Sequence, residues 1–345
     1  MVSVMSLPKN PFFAWSPSRW DVFRSCPLAY YYSYYLAWDG WDIDSEPARR
    51  EAYLCKNLTS LSFIFNNAFR DEMTRIARAV QSGAYAAEPE KFSPEKVEKS
   101  IRARLNRAYA GRKNFRAWLD DPKRFPLIME CVYQGWGNPM EDSIEWIKEK
   151  LSFVHGYTDF KTFSDLVSLS KSGNGDKVIE AGESPFKSGL DTFLLDGVKV
   201  FSGVDLVYQK DGKTVAVNWR TGDDRESYMA ASRAVALYLN LHYGIPSSDM
   251  VVRNEFLISG ESAEYNPGKH SIDDAKKRIA KQAAVMAEFV KSSDTKENIP
   301  LSEDAFCEAA RNPDCSWCRY RGICMKHKDK NACFFKKMVE ETCKN

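Results

Sequence analysis

The sequence predicts an α/β protein, and three observations carry that reading. Asp-Gly pairs at 196–197 and 211–212 each lie between alternating apolar runs, the signature of two-residue β-hairpins. A helical block of roughly sixty residues, with apolar positions at helical spacing, precedes them. After them a helical stretch over 226–243, an apolar strand over 250–258 and a second helical stretch over 271–291 alternate in order.

Taken from the N-terminus, Ser16-Pro17-Ser18 reads as a helix start, with Ser16 capping and Pro17 at the first helical position. Cys26-Pro27 interrupts that helix. A second helix then carries Tyr30, Tyr31, Tyr34 and Tyr35 on one face, a stripe better suited to core packing than to base stacking. Residues 60–81 form a long amphipathic helix led by Leu61, Ile64, Phe65, Phe69 and Met73. From 94 to 151 the pattern stays helical, with breaks near Gly111, Pro122, Pro126 and Pro139. Three strands are expected over 186–195, 198–209 and 213–219. The Ser-, Gly- and Asn-rich stretch 170–176 is expected to be the most flexible.

The 345 residues are 44% apolar and 28% charged, ordinary for a globular protein with a substantial core. A net charge of +2 offers no global argument for nucleic acid, so any such argument is local. No apolar run reaches the roughly 18–20 residues that span a bilayer, and the start lacks a basic region followed by an apolar stretch. The expectation is a cytoplasmic protein without a membrane partner. Nine cysteines in such a chain point to metal binding or buried thiols rather than a disulfide scaffold.

Three of those cysteines stand as Cys315-x2-Cys318-x5-Cys324, and Cys26 stands alone before Pro27. Spacing alone leaves two metals open. An iron–sulfur cluster would take all four. A zinc site would use Cys315, Cys318, Cys324 and either His327 or Cys333. Cys55, Cys131, Cys307, Cys333 and Cys343 have no partner pattern and read as structural thiols. His155, His242, His270 and His327 fall in no catalytic pattern.

The expected second and third strands carry a polar set. Asp205 lies in an otherwise apolar run, where an unpaired carboxylate is expensive to bury. Asn218 and Arg220, two apart, point to one sheet face beside it. The plainer alternative is a half-buried ion pair between Asp205 and Arg220.

These residues resemble the PD-(D/E)XK nucleases, and in particular the RecB-like iron–sulfur branch that includes the AddB nuclease domain and CRISPR-associated exonucleases. Ser18-Arg19-Trp20 through Cys26-Pro27-Leu28-Ala29-Tyr30-Tyr31 looks like the entry of that branch, and the C-x2-C-x5-C spacing is similar to its C-terminal ligands. Asn218-Trp219-Arg220-Thr221-Gly222 occupies the place of an acidic-Tyr-Lys-Thr-Gly element, and the helix with Tyr238 that of a Gln-Leu-x-x-Tyr helix. The resemblance runs from Ser16 to Cys324. It implies a restriction-endonuclease-like core, a mixed central sheet flanked by helices, in one domain with a helical insertion at 85–158. It also implies a [4Fe–4S] cluster on Cys26, Cys315, Cys318 and Cys324, joining segments 16–36 and 307–337.

The catalytic positions depart from the pattern. Asn218 replaces the acidic ligand, Arg220 the lysine, Arg70 a histidine and Ala234 a glutamine, while Asp205 is retained. Such nucleases hold Mg²⁺ or Mn²⁺ on carboxylates. Asn218 offers a neutral carbonyl, and Arg220 grips phosphate without readily exchanging a proton. Weak or absent cleavage with DNA binding retained is the expectation. An Asp-to-Asn substitution disabling an active Mg²⁺- or Mn²⁺-dependent exonuclease is the alternative. A protein-interaction scaffold in a DNA-processing complex is another.

Local charge suggests where DNA lies. Lys99, Arg102, Arg104, Arg107, Arg112, Lys113 and Arg116 form an acid-free run with Tyr109, Phe115 and Trp118 interleaved. Arg319, Arg321, Lys326, Lys328, Lys330, Lys336 and Lys337 form a second, against the single acid Asp329. Basic grooves with aromatics suit single strands or duplex ends, although solvated helix faces have the same composition. The expected partners are DNA and a helicase or nuclease subunit.

Overall fold

The computed structural model describes residues 10–84, 92–135, 137–171, 175–182, 192–221, 225–291 and 297–327. The N-terminal strand β1 (Ala14–Trp15) leads into α1 (Pro17–Ser25) and α2 (Pro27–Tyr31), which runs on into a π-helical turn over Tyr32–Leu36. Helices α3 (Pro47–Lys56) and α4 (Leu61–Gln81) follow. The helical block then comprises α5 (Pro94–Lys113), α6 (Phe115–Asp120), α7 (Met129–Tyr133), α8 (Pro139–Asp142), α9 (Ile144–His155) and α10 (Lys161–Leu169). The starts follow expected chemistry. Ser16 Oγ accepts from Arg19 N with Pro17 behind it, and Ser60 Oγ accepts from Phe63 N.

Strands β2 (Lys177–Ala181), β3 (Thr192–Leu195), β4 (Val198–Phe201), β5 (Leu206–Lys210) and β6 (Lys213–Arg220) come next. They are followed by α11 (Arg225–Tyr243), β7 (Met250–Phe256), β8 (Glu261–Tyr265), α12 (Ser271–Ala287) and α13 (Glu303–Ala309). Both Asp-Gly pairs turn hairpins, with φ of 48° and 80° at Asp196-Gly197 and 51° and 72° at Asp211-Gly212.

The expected single strand over 198–209 is instead two. The chain leaves β4 through Ser202–Asp205, so that β4 pairs with β1 and β3 in a three-stranded sheet. Strand β5 enters a five-stranded sheet of order β2-β5-β6-β7-β8. That sheet is mixed: β6 and β7 run parallel across the α11 crossover, and every other neighbouring pair is antiparallel. Residues 186–191 of the expected first strand, and 172–174 of the expected flexible stretch, lie outside the described residues.

Helices cover both faces of the five-stranded sheet. Val215, Val217 and Trp219 of β6 join Leu206 and Tyr208 in a core with α4 and α10. Ala216 and Val207, pointing the other way, pack with Val235, Ala236 and Leu239 of α11. A third core joins the chain ends: Tyr30, Tyr32 and Tyr35 are buried with Phe306 and Tyr320. Of the predicted stripe, Tyr30 and Tyr35 are buried in this core, and Tyr31 and Tyr34 pack half-buried against it. Among the described residues no helix is long and apolar enough to cross a membrane.

Candidate functional site

Cys26 stands where α1 ends and α2 begins. Its extended backbone stops the first helix, and its Sγ accepts a hydrogen bond from Ala29 N at 3.4 Å, capping the second. At the other end of the chain a tightly wound loop gathers three more thiols: Cys318 N donates to Cys315 O at 3.3 Å and Cys324 N to Tyr320 O at 2.9 Å. Tyrosines pin this loop to the N-terminal helices. Tyr32 Oη donates to Glu303 at 2.6 Å and accepts from Met325 N at 3.2 Å, and Ser33 Oγ bonds Tyr320 Oη at 2.8 Å.

The result is one cavity lined by Cys26, Cys315, Cys318 and Cys324 against Leu28, Tyr32 and Tyr320. All four thiols are free of disulfides. Burial pushes up the thiols of Cys26, Cys318 and Cys324, Cys318 to about 11, and neighbouring thiols raise each of them further. Among the described residues no three His, Cys, Asp or Glu side chains are gathered closely enough to hold a single metal ion. Four soft thiol donors lining one small cavity beside Leu28, Tyr32 and Tyr320 are the donor type that ligates an iron–sulfur cluster. The His327 side chain, Cys333 and Cys343 lie outside the described residues.

The second constellation lies at the edge of the core between α4 and the ends of β5 and β6. Asp205 stands just before β5, 5% exposed, its backbone N–H bonded to Val217 O at 3.1 Å. Its carboxylate is fully engaged. Oδ2 accepts from Trp219 N at 2.8 Å, and Oδ1 accepts from Arg70 Nε at 2.7 Å and from a second guanidinium nitrogen. The ion pair expected with Arg220 is therefore made by Arg70, across from α4. Arg220 turns instead to β7, where Nε donates to Asn254 Oδ1 at 2.8 Å, and Asn254 Nδ2 donates to Ser232 Oγ of α11 at 2.9 Å. Burial pushes the Arg220 guanidinium down, against the pull of Asp205. Asn218 is buried, its Nδ2 without a partner among the described residues, and Ala234 packs in the core. Sequence reasoning missed Asn254 and Ser232, whose only signal is their polarity within buried runs.

The third feature is a pair of adjoining cavities that meet at Lys56 and Arg319. One, of about 550 Å³, is lined by Lys56, Arg104, Arg107, Lys123, Arg124 and Arg319 and, among the described residues, by no carboxylate. The other, of about 490 Å³, passes Tyr34 and Trp317 to Cys26 and Cys318. Phe63 and Trp317 are 57% and 54% exposed at these walls. Lys56 is pushed down to about 8 by burial, with Arg19, Lys123 and Arg319 adding to the effect.

Of the basic residues singled out in the sequence, Arg104, Arg107 and Arg319 reach this surface, Arg104 while paired with Asp71. Arg102 pairs with Glu98 and Arg116 with Asp120 on their own helices. Lys113 lies over the Tyr109 ring, Arg112 sits near Cys131, and Arg321 lines the cysteine cavity. Lys328, Lys330, Lys336 and Lys337 lie outside the described residues. Lys56, Lys123 and Arg124, which complete the surface, carry no motif in the sequence. In comparisons with known proteins, no family model matches the chain and no curated protein matches it significantly.

Proposed function

We propose that this chain is a DNA-binding iron–sulfur protein of the RecB-like PD-(D/E)XK nuclease type in which metal-dependent cleavage is weak or absent. The observation that carries the loss of chemistry is the Arg70–Asp205 ion pair. A nuclease of this type needs that carboxylate free for Mg²⁺ or Mn²⁺. Here both oxygens hold donors, the second acidic position is Asn218, and the nearby charges are the guanidiniums of Arg70 and Arg220. Arg70 remains 42% exposed and suits a phosphate oxygen better than a metal ion.

DNA binding is supported by the acid-free cavity at Lys56 and Arg319, with exposed Phe63 and Trp317 beside it. A cluster on Cys26, Cys315, Cys318 and Cys324 is supported by their shared cavity. Bound there, it would hold the two ends of the chain together.

The test is a salt titration and a cleavage assay. Six cations on the cavity predict a log–log slope of about −4 for single-stranded DNA, and a flat response excludes the reading. Protein purified without oxygen should be brown, and colourless, zinc-loaded protein would remove the cluster. Cleavage with Mn²⁺ should stay negligible in both the wild type and Asn218→Asp. Strong cleavage by Asn218→Asp alone supports the second reading, an exonuclease disabled at one residue. The unpartnered Nδ2 of Asn218 is the observation that favours that reading, because an oxygen there would face a cation rather than nothing.

A further inference from the structure

A separate cavity of about 740 Å³ opens on the far side of α1, between that helix, α11, β8 and α12. Its size falls within the range of small-ligand sites, roughly 300–1,000 Å³. Arg233, Lys277, Arg278 and Lys281 line it, and none has an ion-pair or hydrogen-bond partner among the described residues. Arg24 also lines it but is held by Asp21 at 3.0 Å, and among the described residues the one acid on the wall is Asp274. Four uncompensated cations around one concavity repel each other, and a multivalent anion relieves that repulsion. Two further features say what the anion is attached to. Trp20 and Tyr265 offer aromatic surface on the wall, and the side chain of Gln282 lies on the same wall. A flat heteroaromatic ring with polar edges suits such a wall.

We propose that this cavity binds a nucleoside phosphate, its phosphates on Arg233, Lys277, Arg278 and Lys281 and its base among Trp20, Tyr265 and Gln282. The ligand has two possible sources, a free nucleotide or one unit of a DNA strand that crosses α1. The proposal does not depend on the sheet site or the cysteine cavity. Helix α1 divides the two regions: Asp21, Val22 and Ser25 face the cavity that leads to Trp317, while Trp20 and Arg24 face this one.

The experiment measures binding of dATP and of a 5′-phosphorylated oligo-dT to the full chain in low salt, for the wild type, Lys277→Ala/Lys281→Ala and Arg104→Ala/Arg107→Ala. Lys277 and Lys281 are exposed on α12, so the first double variant should keep the wild-type melting temperature. A free-nucleotide site predicts that dATP binds the wild type and loses about tenfold or more in affinity in Lys277→Ala/Lys281→Ala, while Arg104→Ala/Arg107→Ala binds it normally. A strand-unit site predicts no dATP binding but the same loss for the oligonucleotide. Arg104→Ala/Arg107→Ala should weaken only the oligonucleotide, and its failure to do so would count against the DNA-binding groove alone. Affinities for both ligands unchanged in Lys277→Ala/Lys281→Ala would overturn the proposal.

Discussion

Replacing Arg70 by alanine tests the reading of the sheet site directly. The Asp205 side chain is 6% exposed and that of Arg70 42% exposed, so the pair is buried at one end and open at the other. Removing one partner of a fully buried ion pair costs about 3–5 kcal/mol, and an exposed pair contributes about 0–1 kcal/mol. Here truncation strips Oδ1 of both its donors and leaves a buried carboxylate with Trp219 N–H alone. The cost of one such unmet charged group is about 1.5–3 kcal/mol. The solvent-facing end of Arg70 places Arg70→Ala near the middle of that range, at about 2 kcal/mol. Urea unfolding at neutral pH measures it, with the slope checked against the wild type so that a midpoint shift can be read as stability. Asp205→Asn removes the charge that Arg70 neutralises. The double variant Arg70→Ala/Asp205→Asn should therefore lose about 1 kcal/mol less than the sum of the singles. Freed of Arg70, the carboxylate also becomes open to a cation, so Mn²⁺ should raise the midpoint of Arg70→Ala and leave the wild type unmoved. An Arg70→Ala protein within 0.5 kcal/mol of wild type (about the additivity error), or a strictly additive double variant, refutes the argument that this pair closes the metal position.

Two further outcomes follow from buried features outside the candidate sites. Burial pushes the Asp165 carboxyl up, but bonds from Lys210, Tyr208 and Arg253 outweigh it and hold the group below the usual range. The unfolded chain then binds the proton more readily, so the contribution is present above the ordinary aspartate pKa of about 4 and is lost as pH falls through the lower folded value. Asp165→Asn should cost about 2–3 kcal/mol at neutral pH, with the gap to wild type closing below about pH 3, as followed by denaturant midpoints across pH. A gap that persists in acid would show that the cost is packing. Gly40 packs against α3 so closely that a Cβ would run into the Arg49 carbonyl oxygen, which belongs to backbone and has little freedom to yield. Gly40→Ala should lower stability by about 1–3 kcal/mol in a thermal melt, and an unchanged melt would mean that the segment shifts freely.

What the sequence disclosed depends on whether the signal was local. The hairpins were legible because Asp and Gly accept the positive φ that a two-residue turn demands. The cap at Ser16 was legible because a hydroxyl before a helical run has one obvious N–H to satisfy. The division of 198–209 was not. The alternation continues through β4 and β5, and only Gly203, ahead of the bend to Asp205, marks where the chain changes sheets. Strands β2 and β8 were missed for another reason: both lie at the sheet edges, and β8 reads Glu-Ser-Ala-Glu-Tyr with no apolar face to register. In the site, the sequence brought forward Asp205, Arg70, Asn218 and Arg220 together, and the ion pair it offered as the plainer alternative named Arg220 where the partner is Arg70. Two residues in paired strands look like the natural partners, whereas Arg70 approaches from a helix 135 positions away. Arg253 and Glu255, buried in the middle of β7 and bonded to Asp165, Glu264, Tyr157 and Trp219, were invisible for the same reason.

The cysteine loop and the basic surface are one structure, and that joins the two halves of the proposal. Cys318 and Arg319 are neighbours in the chain. The first lines the thiol cavity, and the second lines both adjoining cavities while donating to the Lys56 carbonyl at 2.7 Å. Tyr133 Oη in turn donates to the Arg319 carbonyl at 2.9 Å, tying the loop to the helical block that supplies Arg104 and Arg107. A short loop without regular secondary structure has little of its own to fix an arginine and a half-exposed tryptophan in place. The proposed cluster would supply that order by tethering the loop to Cys26 at the head of α2. The sheet site has no such dependence, because Asp205, Arg70 and Asn254 are held by strands, a long helix and each other. Loss of the cluster should therefore act first on the affinity for DNA and leave the sheet core folded. Under the proposed function, a cluster that positions Arg319 and Trp317 has a role that does not depend on a metal ion at the sheet site.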